Sequence, residues 1–166
     1  MRKLALFIGI ISVLLGLNAC EEIQKELIGE YHYQVSGHVI LNGVRDLILE
    51  PEKGSMEIIK KDDTTLMLIF FAEDGNTYST NATIEEEGLV LDPFYKLLPI
   101  NYYTHESTLL SGTVSVLHEE NYQVVVYGMG QLYDDAIIFT LQYNGEEFNN
   151  GTKLIGKNIT LIAKTK

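Results

Sequence analysis

His38-Val39-Ile40-Leu41-Asn42-Gly43-Val44-Arg45-Asp46-Leu47-Ile48-Leu49 sets two runs of aliphatic and β-branched residues on either side of an Asn-Gly pair. Asn and Gly most readily take the positive φ required at both centres of a type I′ turn, so the stretch predicts a tight antiparallel hairpin. Upstream, Tyr31-His32-Tyr33-Gln34-Val35-Ser36 alternates apolar and polar side chains with the two-residue period of a half-buried strand. Downstream, Pro51 to Gly54 predicts a break, and Ser55 to Lys60 a further strand that ends at Asp62-Asp63. Thr64 to Ala72 is apolar on both faces, which predicts a central strand, and Glu73-Asp74-Gly75-Asn76 is its turn.

The same grammar continues. Thr77 to Ile84 runs back with one wetter face, Glu85 to Gly88 turns, and Leu89-Val90-Leu91 is stopped by Asp92-Pro93. Phe94 to His105 is the least regular part; with Pro99 and three tyrosines inside it, it is expected to be a lid or crossover loop. Leu109 to Leu117, Tyr122 to Met129, Ala136 to Tyr143 and Ile159 to Ala163 complete the strands. Their turns fall at His118 to Asn121, at Gly130 to Asp135, and from Asn144-Gly145 to Asn150-Gly151. Nine or ten strands joined by short turns favour an antiparallel meander over parallel crossovers. A sheet of that size must hide its edges, so the expected fold is all-β, an up-and-down barrel of about eight strands, with a β-sandwich as the alternative. No internal boundary is visible, and residues 29–166 read as one β-barrel domain.

The N-terminus carries a different signal. Arg2 and Lys3 precede Leu4 to Leu17, an uncharged stretch shorter than the roughly 20 apolar residues a spanning helix needs. Leu17-Asn18-Ala19-Cys20 resembles the lipobox of bacterial lipoproteins. That resemblance implies that residues 1–19 are a signal peptide cut between Ala19 and Cys20. It also implies that Cys20 holds a diacylglyceryl group on sulfur and an acyl chain such as palmitate on its amine. Two or more chains anchor stably, because each buried methylene contributes about 0.8 kcal/mol. Cys20 is the only cysteine, so once lipidated it leaves no thiol for a disulfide, a zinc site or a nucleophile. Residues 20–28 read as a tether or short helix. Glu21-Glu22 is similar to the surface-export signal of Bacteroidetes lipoproteins, and equally suits the start of a solvated helix. The expected location is the cell envelope, as an outer-membrane lipoprotein on either face. Gly29-Glu30-Tyr31 resembles the Gly-x-Trp opening of lipocalins and the Gly-x-Tyr of calycin-like lipoproteins of Bacteroidetes. It implies a calycin-like barrel in which Tyr31 fills the place of the indole, since the chain has no Trp.

Charge narrows the function. Without Arg2 and Lys3, 10 basic residues stand against 23 acidic ones, a formal −13 with no Lys/Arg cluster, which excludes phosphate-backbone binding as the main task. His32, His38, His105 and His118 never fall at metal-ligand spacing, and the Asp62-Asp63 and Glu73 to Asn76 loops lack the spaced pattern of a calcium loop. Turn chemistry explains both loops. No metal and no cofactor are expected. No nucleophile elbow, phosphate-binding glycine loop or dinucleotide motif occurs, so no catalytic residue is assigned. Tyr31, Tyr33, Tyr95, Tyr102, Tyr103 and Tyr127 are candidates to line a pocket for a small hydrophobic or sugar ligand. The same rings are also what a β core is built from. Asp63-Thr64-Thr65 is similar to the short O-glycosylation motif of secreted Bacteroidetes proteins, which makes Thr64 a candidate acceptor. The expected function is a non-catalytic binding or interaction module. An inhibitor or partner-binding envelope protein is the second reading and an envelope hydrolase the third. An enclosed apolar pocket would favour a ligand carrier, a filled barrel with an exposed apolar patch a protein partner, and two converging carboxylates a hydrolase.

Overall fold

Asn42 (φ 47°) and Gly43 (φ 72°) both take the left-handed conformation, and the Val44 N–H donates to the Leu41 carbonyl across 3.0 Å. The predicted hairpin therefore forms, joining β1 (Gly29–Leu41) to β2 (Arg45–Ile48). The computed structural model describes residues 24–86, 88–108, 112–147 and 151–166. The signal segment, Ala19, Cys20 and Glu21-Glu22 lie outside the described residues, as do Leu109 to Ser111 of one expected strand and the Asn150 end of one expected turn.

Seven more strands follow: β3 (Glu52–Lys60), β4 (Thr65–Ala72), β5 (Thr77–Glu85), β6 (Gly88–Thr108), β7 (Gly112–Tyr133), β8 (Ala136–Glu147) and β9 (Lys153–Thr165). From β3 onward each pairs antiparallel with the next, and β9 returns to β1 from Tyr31↔Thr165 to Leu41↔Leu154. First and last strands are thus hydrogen-bonded, so this is one sheet rolled into a ring of eight and not two stacked sheets. β1 is shared along its length: Gly29 to Val35 pairs with β3, and His38 to Leu41 pairs with β2. β2 therefore occupies the place that an upward extension of β3 would take.

Four expected turns or loops are wholly or largely strand; one is the Gly130 to Asp135 turn, whose Gly130 to Tyr133 pairs with β8. Phe94 to His105 runs inside β6, paired residue by residue with β7. Its alternation is regular: Phe94, Leu98 and Ile100 point inward while Tyr95, Leu97, Pro99 and Asn101 point out. Proline is tolerated there because this side of β6 is a sheet edge, where a missing N–H costs no ladder bond. His118 to Asn121 is the middle of β7 and polar because it lies beyond the barrel rim, where Glu119 and Asn121 are exposed and His118 and Glu120 only half-buried. Gly145 lies within β8, where a Cβ would sit 2.5 Å from a Val124 methyl, so glycine here marks close packing and not a turn. The expected break at Pro51 to Gly54 is shorter than read, since β3 already begins at Glu52.

The wall is uneven. β5 and β6 are joined only from Ala82↔Leu91 to Glu85↔Gly88, after which the β6 register shifts at Leu91/Phe94. β8 follows β7 only as far as Tyr122↔Glu147. Beyond that level β6 and β7 continue as a two-stranded ribbon past the rim. At the opposite end, Gln24 to Leu27 makes one helical turn. It is pinned where the Tyr31 hydroxyl donates to Leu27 O (2.8 Å) and the Gln24 side-chain amide donates to Asp62 O (2.8 Å). With Leu27 buried, this turn covers that end of the barrel.

Candidate functional site

The barrel interior is filled. Met56, Ile58, Leu68, Val126, Phe139 and Leu161 are all at most 2% exposed, so the described residues enclose no carrier-type chamber. Above this aliphatic layer lies an aromatic one. Phe70 stacks on Tyr78 (4.9 Å between centroids), Tyr78 stacks on Phe94 (5.5 Å), and Tyr33 meets Phe70 edge-on (5.5 Å). Gly54 lets the Tyr33 ring lie against the β3 backbone, because a Cβ would sit 2.8 Å from Tyr33 Cε1 and 2.2 Å from Phe71 O. Gly54→Ala should therefore lower stability by about 1–3 kcal/mol, measured by urea unfolding.

On the aromatic layer sits a buried charge pair. Lys96, inward on β6 and 8% exposed, forms an ion pair with Glu52 at the start of β3. The Glu52 carboxylate also accepts from the Tyr78 hydroxyl and from the Tyr33 hydroxyl (3.0 Å). The Lys96 ammonium lies 5.0 Å from the Tyr78 ring centre and 5.8 Å from that of Tyr143. Burial disfavours the charged amine and lowers its pKa, with the Glu52 carboxylate opposing. Burial raises the Tyr78 phenol far above its usual range, and the adjacent carboxylate adds to the effect.

Over this pair the wall is open. The β4–β5 hairpin ends at the Glu73 to Asn76 turn, below the level reached by β2 and β6, and leaves a lateral notch of about 520 Å³. Leu47 to Lys53 form one side, Tyr95 to Asn101 of β6 the other, and Glu73, Asp74, Asn76, Thr77 and Tyr78 the base. Thr80 and Asn81 of β5 hold the corner where the strands part, donating to Asp92 O (2.7 Å) and Asp92 Oδ2 (2.9 Å). Farther out, the Arg45 guanidinium lies 4.4 Å from the Tyr102 ring centre, and Tyr102 stacks on His118 (4.8 Å). Tyr102 also donates to Glu120 (3.0 Å), and Thr104 Oγ1 meets His118 Nε2 (2.8 Å). These contacts tie β2 to the ribbon and frame the notch at its outer end.

Of the six tyrosines singled out from the sequence, the structure brings Tyr33 beneath the notch and Tyr95 to its edge. Tyr102 belongs to the frame, and Tyr103 is exposed on the other face of the ribbon. Tyr31 is buried against the N-terminal turn, its hydroxyl donating to Leu27 O, and Tyr127 faces outward from β7. Thr64 is exposed in the β3–β4 turn, its N–H bonded to Asp62 Oδ1 (3.0 Å). Glu52 and Lys96, the charged centre of the site, were not candidates. The available signal was a lysine at an inward position of the alternating Phe94, Leu98, Ile100 face. Among the described residues no group of three His, Cys, Asp or Glu side chains could hold a metal ion. At the notch floor the Glu52 carboxylate faces the Lys96 amine.

No protein-family model matches the chain, and no curated protein does. Among solved structures, a redesigned β-barrel aligns over 86% of this chain and 94% of its own at 14% identity, with a TM-score of 0.38.

Proposed function

We propose that this chain is an envelope lipoprotein whose barrel is a non-catalytic binding module, anchored by lipid on Cys20 and presenting the β2–β6 notch to its ligand. The carrying observation is the placement of that notch at the end of the barrel away from the Gln24 to Leu27 turn, so an anchor before residue 24 leaves it facing out from the bilayer. A notch of this size falls in the range of ligand sites, roughly 300–1,000 Å³. The filled interior favours a ligand that docks at the rim over one carried inside. Apolar walls with a few buried polar groups at the base supply area and orientation together. The lipobox supports the anchor, and an outer-membrane location follows from it as part of the same proposal.

One experiment in intact cells tests both halves. A photo-crosslinking amino acid at Ile48 or Tyr95 should give a discrete adduct, while the same group at Ile155, exposed on the barrel wall, should give none. Labelled palmitate should enter the wild-type chain and not Cys20→Ser, which should leave the membrane fraction. Equal labelling from all three crosslinking positions would sink the notch as the binding site. Unchanged fractionation of Cys20→Ser would sink the tether.

A further inference from the structure

Resting on that reading of the notch, we infer that its ligand is an extended, positively charged peptide segment of a protein partner, added as a strand to the free edge of β6 over Tyr95 to Asn101. A strand edge offers a row of N–H and C=O groups spaced for another strand. Among the described residues no strand pairs with β6 on this side beyond Leu91. Tyr95 to Asn101 provides roughly 20 Å of such edge at about 3.3 Å per residue. Natural edges are commonly guarded by charges, above all lysine, turned out or in, and by proline. Here the outward side chains are Tyr95, Leu97, Pro99 and Asn101; Pro99 removes one donor, and the one lysine, Lys96, is turned inward and paired with Glu52. Glu52 cancels the Lys96 charge, so apart from the Pro99 donor the edge beside the notch stays open to pairing.

Charge selects the partner. Glu50, Glu73 and Asp74 are exposed around the notch against the single exposed Lys53, Glu52 being already paired. Alternate side chains of an added strand meet the apolar walls at Leu47, Leu98 and Ile100 on one face and the acidic rim on the other. A second copy of this chain is a poor occupant, because the formal charge of −13 left without Arg2 and Lys3 repels its like. The Arg45–Tyr102 contact closes the outer end of the frame and limits the occupant to a short segment.

The test uses four fluorescent probes: an alternating Val-Lys heptapeptide, its Val-Glu counterpart, and two Val-Lys peptides N-methylated at alternate residues, one in each phase. The Val-Lys probe should bind the purified protein, and amide exchange over residues 95–101 should slow roughly tenfold or more while β8 and β9 stay unchanged. Glu50→Lys/Glu73→Lys, both at exposed positions, should weaken it at least about tenfold. One N-methyl phase should abolish binding, since it removes the donors that face β6. Equal binding of the Val-Glu probe, binding with no slowing in β6, or no binding up to about 1 mM each overturns strand addition. So does slowing that grows with protein concentration alone, which would make the occupant a second copy. These failures leave the notch reading standing if the Ile48 and Tyr95 crosslinks still form. Loss of the crosslinks removes both.

Discussion

Glu52→Ala is expected to destabilise the protein by about 3–5 kcal/mol, the cost of stranding one partner of a buried ion pair. The Glu52 carboxylate faces Lys96 and two tyrosine hydroxyls, with side-chain exposures of 19% for Glu52 and 6% for Lys96. Removing it leaves an ammonium that water reaches poorly and two phenols without their acceptor. Lys96→Met alone should cost less, because Glu52 keeps both tyrosine donors. Glu52→Gln/Lys96→Met removes both charges and keeps an oxygen for Tyr33 and Tyr78, so it should recover most of the loss, to within about 1.5 kcal/mol of wild type. Urea unfolding of the four proteins at pH 7 measures this. A Glu52→Ala loss below about 1 kcal/mol would mean that the pair behaves like a surface bridge.

The second large effect is alkaline unfolding. Burial raises the phenol pKa of Tyr33, Tyr78, Tyr122 and Tyr143 above its usual value near 10, with carboxylates adding to the shift. A raised folded pKa contributes stability that is complete below the unfolded pKa and lost as pH rises above it. Each such tyrosine costs roughly 1.4 kcal/mol per pH unit above about 10, so four together remove most of a typical domain's stability within about two units. Lys96 works in the opposite sense. Its lowered pKa means that stability rises with pH between its folded pKa and about 10.5, one group against four. Circular dichroism and tyrosinate absorbance followed from pH 8 to 12.5 should show a fraction of the ten tyrosines ionising only as the sheet is lost. Free ionisation of all ten near pH 10 with the sheet intact would contradict the buried placement of these four rings.

The strands were legible where one face is buried and the other wet. Tyr31 to Val35 alternates without interruption and lies within β1, and Asn42-Gly43 makes the turn its dihedral preferences require. Phe94 to His105 alternates just as regularly, but Pro99 and the tyrosines read as irregularity because an isolated proline argues against a strand unless that strand lies on an edge. Whether β6 is an edge depends on how far β5 reaches, which no residue of β6 encodes. His118 to Asn121 misled for a related reason: polar residues in a row resemble a turn until the strand is seen to leave the barrel.

By itself the chain's local chemistry determined the all-β class, the antiparallel order and most turns, because φ preferences and a two-residue burial period act over a few neighbours. Tertiary structure alone decided that β9 closes on β1, that the wall stops short between β2 and β6, and that Glu52 meets Lys96 across 44 residues of sequence. Those outcomes depend on sheet twist, stagger and relative strand length, which are properties of the whole ring. A carboxylate and an amine far apart in the chain carry no mark of each other until the ring brings them out of water together.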